Sequence, residues 1–277
     1  MIRKPVVSGS FYPENPDELV QMIQNCFMHK FGPNSKPPKK SQEKIFGVIC
    51  PHAGYMYSGP IASHSYYEIS SQGFDLVIII GPNHLAIGSE VATMSDAKWQ
   101  TPLGISEVDS ESSDYLTSIA DSVEQDYFSH SKDHSLEVQI PFLQETFSNN
   151  LKILPIIMTK QDMDTAIEIG NAIAEIAKSK KTMIIGSSDF THYEENDFAH
   201  KQDMSLIEPI LQMDITKFYE ILSEKRISAC GYGAIAATMI ACKNMGSKKG
   251  ELLAYATSGD IVGSKESVVG YASIKFV

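Results

Sequence analysis

The sequence predicts a single α/β domain spanning residues 1–277, with a mostly parallel central sheet flanked by helices. Three observations predict it. Six short runs rich in Ile and Val are bounded by Gly, Pro, Ser or Asp, as strands are. The first four are separated by helix-length segments, the rhythm of strand–helix–strand crossovers that builds parallel sheets. Those runs are apolar almost throughout instead of alternating, as expected of strands covered by helices on both faces.

Taken in order, a first helix is expected over about 16 to 30, followed by the polar loop "GPNSKPPKKSQEK" at 32–44. The strands are "IFGVIC" (45–50), "DLVIIIG" (75–81), "LKILPIIM" (151–158) and "TMIIGS" (182–187). Between the last two, "DMDTAIEIGNAIAEIAKS" (162–179) places Ile167, Ile169, Ile173 and Ile176 near helical spacing. "ELLAYAT" (251–257) and "SVVGYASIKF" (267–276) are joined by too few residues for a crossover helix, so an antiparallel pair is expected. The chain is long enough for one large core, and no second loop of the quality of 32–44 divides it.

The formal charge is −11, from 23 basic and 34 acidic residues. Such a surface repels phosphate backbones and anionic lipid, so neither nucleic acid nor membrane insertion is expected. No apolar run approaches a membrane span, and the N-terminus lacks the apolar stretch of a signal peptide. The cysteines, Cys26, Cys50, Cys230 and Cys242, form no C-x-x-C pair and no disulfide framework. A cytoplasmic protein is expected.

Open α/β sheets build their sites beyond the carboxyl ends of the strands. "CPHAGY" puts His52 just past the first strand, "GPNHLA" puts His84 just past the second, and "SSDFTHY" puts Asp189 and His192 past the fourth. Imidazole is both the commonest metal ligand and the commonest general base. "KDHSLEVQIPFLQETF" (132–147) adds His134 and Glu137, with Asp133 placed to cap a helix and Pro141 to kink it. A capped helix with a solvated first turn explains that segment equally well. Cys230 precedes an Ala-rich helix and is open to three readings: a structural thiol, a ligand or a nucleophile. The letters Gly231-x-Gly233-x-x-Ala236 mimic a dinucleotide fingerprint, but a helix precedes them where a strand is required. His29, His64, His130 and His200 lack a turn context and are expected to be ordinary surface or partly buried residues. There is no G-x-S-x-G elbow, P-loop or H-E-x-x-H motif.

Five stretches in order, "CPHAGYMYSGPIASHSY", "IIGPNHLAIGSEVATMSDAKWQTPLG", "DHSLEVQIPFLQ", "SSDFTHY" and "CGYGAI", together with "SGSFYP", closely resemble the Memo-like family. Its eukaryotic members are mediators of cell motility. Its prokaryotic members are called AmmeMemoRadiSam system protein B, for their association with AMMECR-type and radical-SAM proteins. The family is in turn similar to class III extradiol ring-cleaving dioxygenases, α/β enzymes holding non-haem Fe(II) on two histidines and a carboxylate. The resemblance implies His52, His84 and Cys230 as metal ligands and His192 as an acid/base; His134 lines the pocket and is expected as a second catalytic residue, with Asp189 beside it. Tyr55, Asn83 and Glu137 are expected around it. Iron is the implied cofactor; thiolate in place of carboxylate also suits copper or zinc. Three functions stay open: a metal-dependent oxidoreductase of unidentified substrate, a module binding a peptide, protein or small molecule through an aromatic lining (Tyr55, Tyr57, Trp99, Tyr193), and a zinc-type hydrolase.

Overall fold

A computed structural model describes residues 1–147 and 151–277. After a two-residue strand β1 (Ile2–Arg3), helix α1 (Pro16–Met28) starts with Asn15 accepting the Asp17 and Glu18 N–H groups and with Pro16 in the first turn. The parallel heart of the fold follows: β2 (Gly47–Cys50), α2 (Tyr55–Ile69) and β3 (Leu76–Pro82). Short peripheral elements come next: β4 (Val91–Thr93), β5 (Lys98–Thr101), β6 (Gly104–Glu107), α3 (Ser110–Ile119), β7 (Val123–Gln125) and α4 (Tyr127–His130). Helix α5 (Gln139–Phe147) leads to β8 (Lys152–Met158), α6 (Met163–Ile176), β9 (Thr182–Ser187) and β10 (His192–Glu194). The chain ends through α7 (Asn196–Gln212), α8 (Ile215–Lys225), α9 (Tyr232–Asn244), β11 (Gly250–Thr257), α10 (Ser258–Val262) and β12 (Val268–Phe276).

The main sheet runs β10-β12-β2-β9-β3-β8-β4-β7, with β11 also paired to β12. The four central strands, β2, β9, β3 and β8, are parallel. The sheet turns antiparallel on both flanks, at β12 against β2 and at β4 against β8. The last two long strands pair antiparallel as expected. A separate small sheet, β1-β5-β6, carries the N-terminus.

The sheet is covered on both sides, and strand side chains alternate between the two cores. Leu76, Ile78 and Ile80 of β3 join the core beneath α6, α7 and α9, whereas Val77 and Ile79 join the core beneath α1, α2 and α5. Each such Ile or Leu, fully buried, contributes roughly 1.5–3 kcal/mol. This is why the strand runs read as continuously apolar: neither face meets water.

Two details differ from the sequence-based expectation. Helix α5 begins at Gln139, not after Asp133. Asp133 Oδ1 accepts the Ser135 N–H at 2.7 Å, and residues up to 140 close short turns, such as Gln139 N–H to Leu136 O and Ile140 N–H to Glu137 O. Pro141 thereby falls in the first turn of α5, where no N–H is required, and introduces no kink. His134 and Glu137 belong to an irregular segment instead of a helix face. His130 is not a partly buried residue: it is 0% exposed, edge-on to the Trp99 ring at 5.9 Å.

Burial, reinforced by the nearby charge of Arg3, pushes the His130 imidazole down to about 3. The unfolded chain protonates this histidine near pH 6.5. Its neutral burial is therefore fully compatible with folding above 6.5 and opposes folding as pH falls from there toward 3. The expected loss is about 1.4 kcal/mol per pH unit within that window. Unfolding midpoints of wild type and His130→Phe, measured from pH 7 to 4.5, should show the shallower acid slope in the variant.

Candidate metal centre

The carboxyl ends of the parallel strands deliver the chemistry. His52 lies just beyond β2, His84 just beyond β3 and Asp189 just beyond β9. His134 arrives from the irregular segment before α5, and Cys230 from the loop that opens α9. The crossing of that segment over β3 depends on Gly81. A Cβ there would lie 2.8 Å from both Ser135 Oγ and Leu136 Cδ2. With glycine in place, Ser135 Oγ reaches Pro82 O at 2.9 Å.

The rings of His52, His84 and His134 lie 5.1, 4.5 and 5.5 Å apart, centroid to centroid, with His84 and His134 stacked. One ring nitrogen from each lies within 4.8 Å of the others, a spacing that could hold a metal ion. Cys230 Sγ sits 3.1 Å from His52 Nε2 and accepts the Asp189 N–H at 3.3 Å. Gly231 permits that approach, since a Cβ on it would fall 2.4 Å from Ser187 O. His192 stands across the cleft with Nδ1 2.9 Å from Ser228 O. That carbonyl can only accept, so Nδ1 carries the proton and Nε2 is the basic atom. The Asp133 carboxylate, 3.0 Å from His84 Nδ1, sets His84 in the same way. The cleft encloses about 530 Å³ and is lined by His52, His84, His134, Asp189 and His192, with Phe11, Tyr57 and Tyr193 on its outer wall.

The family model of Memo-like proteins matches residues 3–275. The chain belongs to the Memo-like family. A MEMO1 family protein of Nitrosopumilus maritimus is 60% identical over 277 residues, covering all of both chains. Another, from Methanocaldococcus jannaschii, is 48% identical over 281 residues and covers 98% of each. Among solved structures, an uncharacterized protein of Escherichia coli K12 matches 84% of this chain and 100% of its own at a TM-score of 0.56. At 9% identity that likeness shows a shared fold alone.

In this Memo-like chain two of the clustered imidazoles, His52 and His134, are pushed toward the neutral form. Burial, then the repulsion a proton on His52 would meet from the adjoining His84 and His134 rings, keeps His52 well below the usual histidine range. Burial and His84 bring His134 down to about 4. Burial also raises Asp189 to about 6, although it accepts the His52 N–H at 2.8 Å. For Asp133, the bonds from His84 and Ser135 outweigh burial and keep its carboxyl below the ordinary range. Burial and the charge of Asp189 push the Cys230 thiol up. A bound cation would act in the opposite sense and favour thiolate. The donor set is thus two or three imidazoles and one thiol, a combination that fits iron, copper or zinc.

Three residues expected around the pocket stand behind its wall. Tyr55 is buried against Phe142 and donates its hydroxyl to Val138 O at 2.5 Å. Asn83 Nδ2 donates to Ile87 O at 2.8 Å and shapes the turn beyond His84. Glu137 is spent on the N-terminal segment: it pairs with Arg3 Nη1 at 2.7 Å and accepts the Val6 and Val7 N–H groups and the Tyr12 hydroxyl. That segment carries Phe11, whose ring packs on His134 at 4.8 Å. Of the expected aromatic lining, Tyr57 and Tyr193 face the cleft, whereas Trp99 is buried under the Arg3 guanidinium. Sequence reasoning misses the supporting roles of Arg3, Ser187 and Gln139, although the last two lie inside "SSDFTHY" and "DHSLEVQIPFLQ".

Removing one partner of a buried ion pair strands the other charge. Glu137→Ala is expected to cost about 3–5 kcal/mol in urea unfolding. A loss below about 1 kcal/mol would mean that the N-terminal segment is held by other contacts.

Proposed function

We propose that this cleft is a metal centre of an oxidoreductase-like protein, in which His52, His84 and Cys230 bind iron, with copper or zinc as alternative occupants. The observation that carries the proposal is the Cys230 thiol lying 3.1 Å from His52 Nε2, beside a cluster of three imidazoles. When bound, the metal supplies Lewis acidity and, for iron or copper, a redox couple. The chain's own residues do the rest. His192 presents a basic Nε2 to the cleft and takes a proton from a bound substrate hydroxyl or returns one. Asp189 holds the His52 backbone and Cys230 together, and His134 offers a further nitrogen beside them. Phe11, Tyr57 and Tyr193 exclude water and pack an apolar substrate body.

A second reading is a binding module that holds a peptide or protein segment in the same cleft. Tyr193, 79% exposed at the mouth in a left-handed conformation, favours it, because a bulky residue at positive φ costs energy that function can justify. A zinc-type hydrolase ranks third. AMMECR-type and radical-SAM proteins are candidate partners through the family association. The four cysteines are free, in keeping with the reducing, cytoplasmic setting we propose; no helix among the described residues is long and apolar enough to cross a membrane.

Anaerobic reconstitution with Fe(II), Cu(I) and Zn²⁺, followed by elemental analysis, tests the reading. Wild type should retain metal stoichiometrically through desalting, and His52→Ala and Cys230→Ala should lose most of it. Retention equal to wild type in both variants would refute the ligand set. Partner capture that survives chelation and His192→Ala would favour the binding module.

A further inference from the structure

We infer that Ser187 and Gln139 are positioning residues that fix the tautomer of His52, forcing its proton onto Nδ1 and presenting a bare Nε2 beside Cys230. The inference rests on the metal-centre reading for its consequence, but the tautomer stands on hydrogen bonds alone.

The chain of constraint starts at a carbonyl. Pro51 O lies 3.0 Å from the Gln139 side-chain amide and can only accept. Gln139 must therefore turn its NH₂ toward Pro51; the opposite orientation would set two oxygens against each other. Its Oε1 then meets the Tyr66 hydroxyl, which donates to it at 2.5 Å. The same NH₂ donates to Ser187 Oγ at 2.8 Å and fills one of its two lone-pair sites. Ser187 Oγ also lies 2.7 Å from Ser135 O, another obligate acceptor, so its single proton goes there. One lone pair remains, and His52 Nδ1 is 2.9 Å from it. Only an N–H can complete that contact. Every atom in the set is buried, so water offers no alternative: His52, Ser135, Gln139, Ser187 and Tyr66 are each at most 1% exposed.

The consequence lies at the other ring nitrogen. A proton on Nε2 would point at Cys230 Sγ, hydrogen-bond the thiol and block a metal. With the proton held on Nδ1, Nε2 is a ready ligand, and binding needs no tautomer exchange inside a sealed core. Ser187 closes β9 and Gln139 opens α5, so both supports come from the ends of regular elements.

The test uses the full-length chain labelled with ¹⁵N-histidine and stripped of metal. Long-range ¹H–¹⁵N correlation spectra should show His52 with a protonated Nδ1 and an unprotonated Nε2. Ser187→Ala should shift this signature toward Nε2–H and weaken Zn²⁺ affinity, measured by chelator competition, about 10–100-fold. Wild-type His52 protonated at Nε2 would overturn the inference, and so would a Ser187→Ala protein with unchanged signature or unchanged affinity. The wild-type spectrum decides the tautomer whether or not the variant folds. If wild type binds no Zn²⁺, Fe(II) or Cu(I), the metal-centre reading fails, and the spectra alone decide the role of Ser187.

Discussion

The structure depends on a buried ion pair. Residues 131–138 cross the end of the sheet without a helix or strand of their own, so their carbonyls have no regular ladder to join. Arg3 ties this segment down: Nη2 donates to Asp133 O at 2.5 Å, Nη1 to the Glu137 carboxylate at 2.7 Å, and Nε to the carbonyl of His130, just before the segment, at 2.7 Å. Glu137 returns the arrangement by accepting the backbone of residues 6 and 7. Desolvating two charges costs several kcal/mol each, a cost met only because most polar atoms of the pair are matched. The Trp99 ring, 4.1 Å from the guanidinium carbon, closes the last open side.

What that pair secures is a common support for two of the clustered histidines. Starting at His84, the chain of contacts runs through the Asp133 carboxylate to Ser135, and from the Ser135 carbonyl through Ser187 to His52. The two imidazoles are therefore oriented by contacts to one and the same segment. Strand geometry brings them to the same edge, and the crossing segment sets their angles. A site built this way is rigid before any ligand arrives, which is the condition for tight and selective coordination.

Much of this was legible in the residues. The strand runs were plain because burial on both faces removes the ambiguity of alternation, and the rule that α/β sites lie beyond strand ends singled out His52, His84, Asp189 and His192. The supports were not legible for a physical reason. Ser187 and Gln139 act through hydrogen bonds to backbone carbonyls, Ser135 O and Pro51 O, and a carbonyl has no letter in a sequence. Arg3 stands out only afterwards, as one of two arginines in the chain. The start of α5 was misplaced because Asp133 and Pro141 each have two lawful positions, and the choice between them was made by packing over Gly81. His130 and Trp99 deceived in the same way: a polar ring in a polar stretch gives no sign that a distant arginine will bury it.

The span of these contacts bears on how the protein comes into being. Arg3 meets Glu137 across 134 residues, and Cys230 meets His52 across 178. Closing such loops early is entropically costly, so contacts of this kind form late and slowly. On a ribosome, His52 and His84 emerge well before the thiol that lies beside them. The cleft is thus among the last parts of the molecule to take shape, and any metal it holds must be acquired by a nearly finished chain.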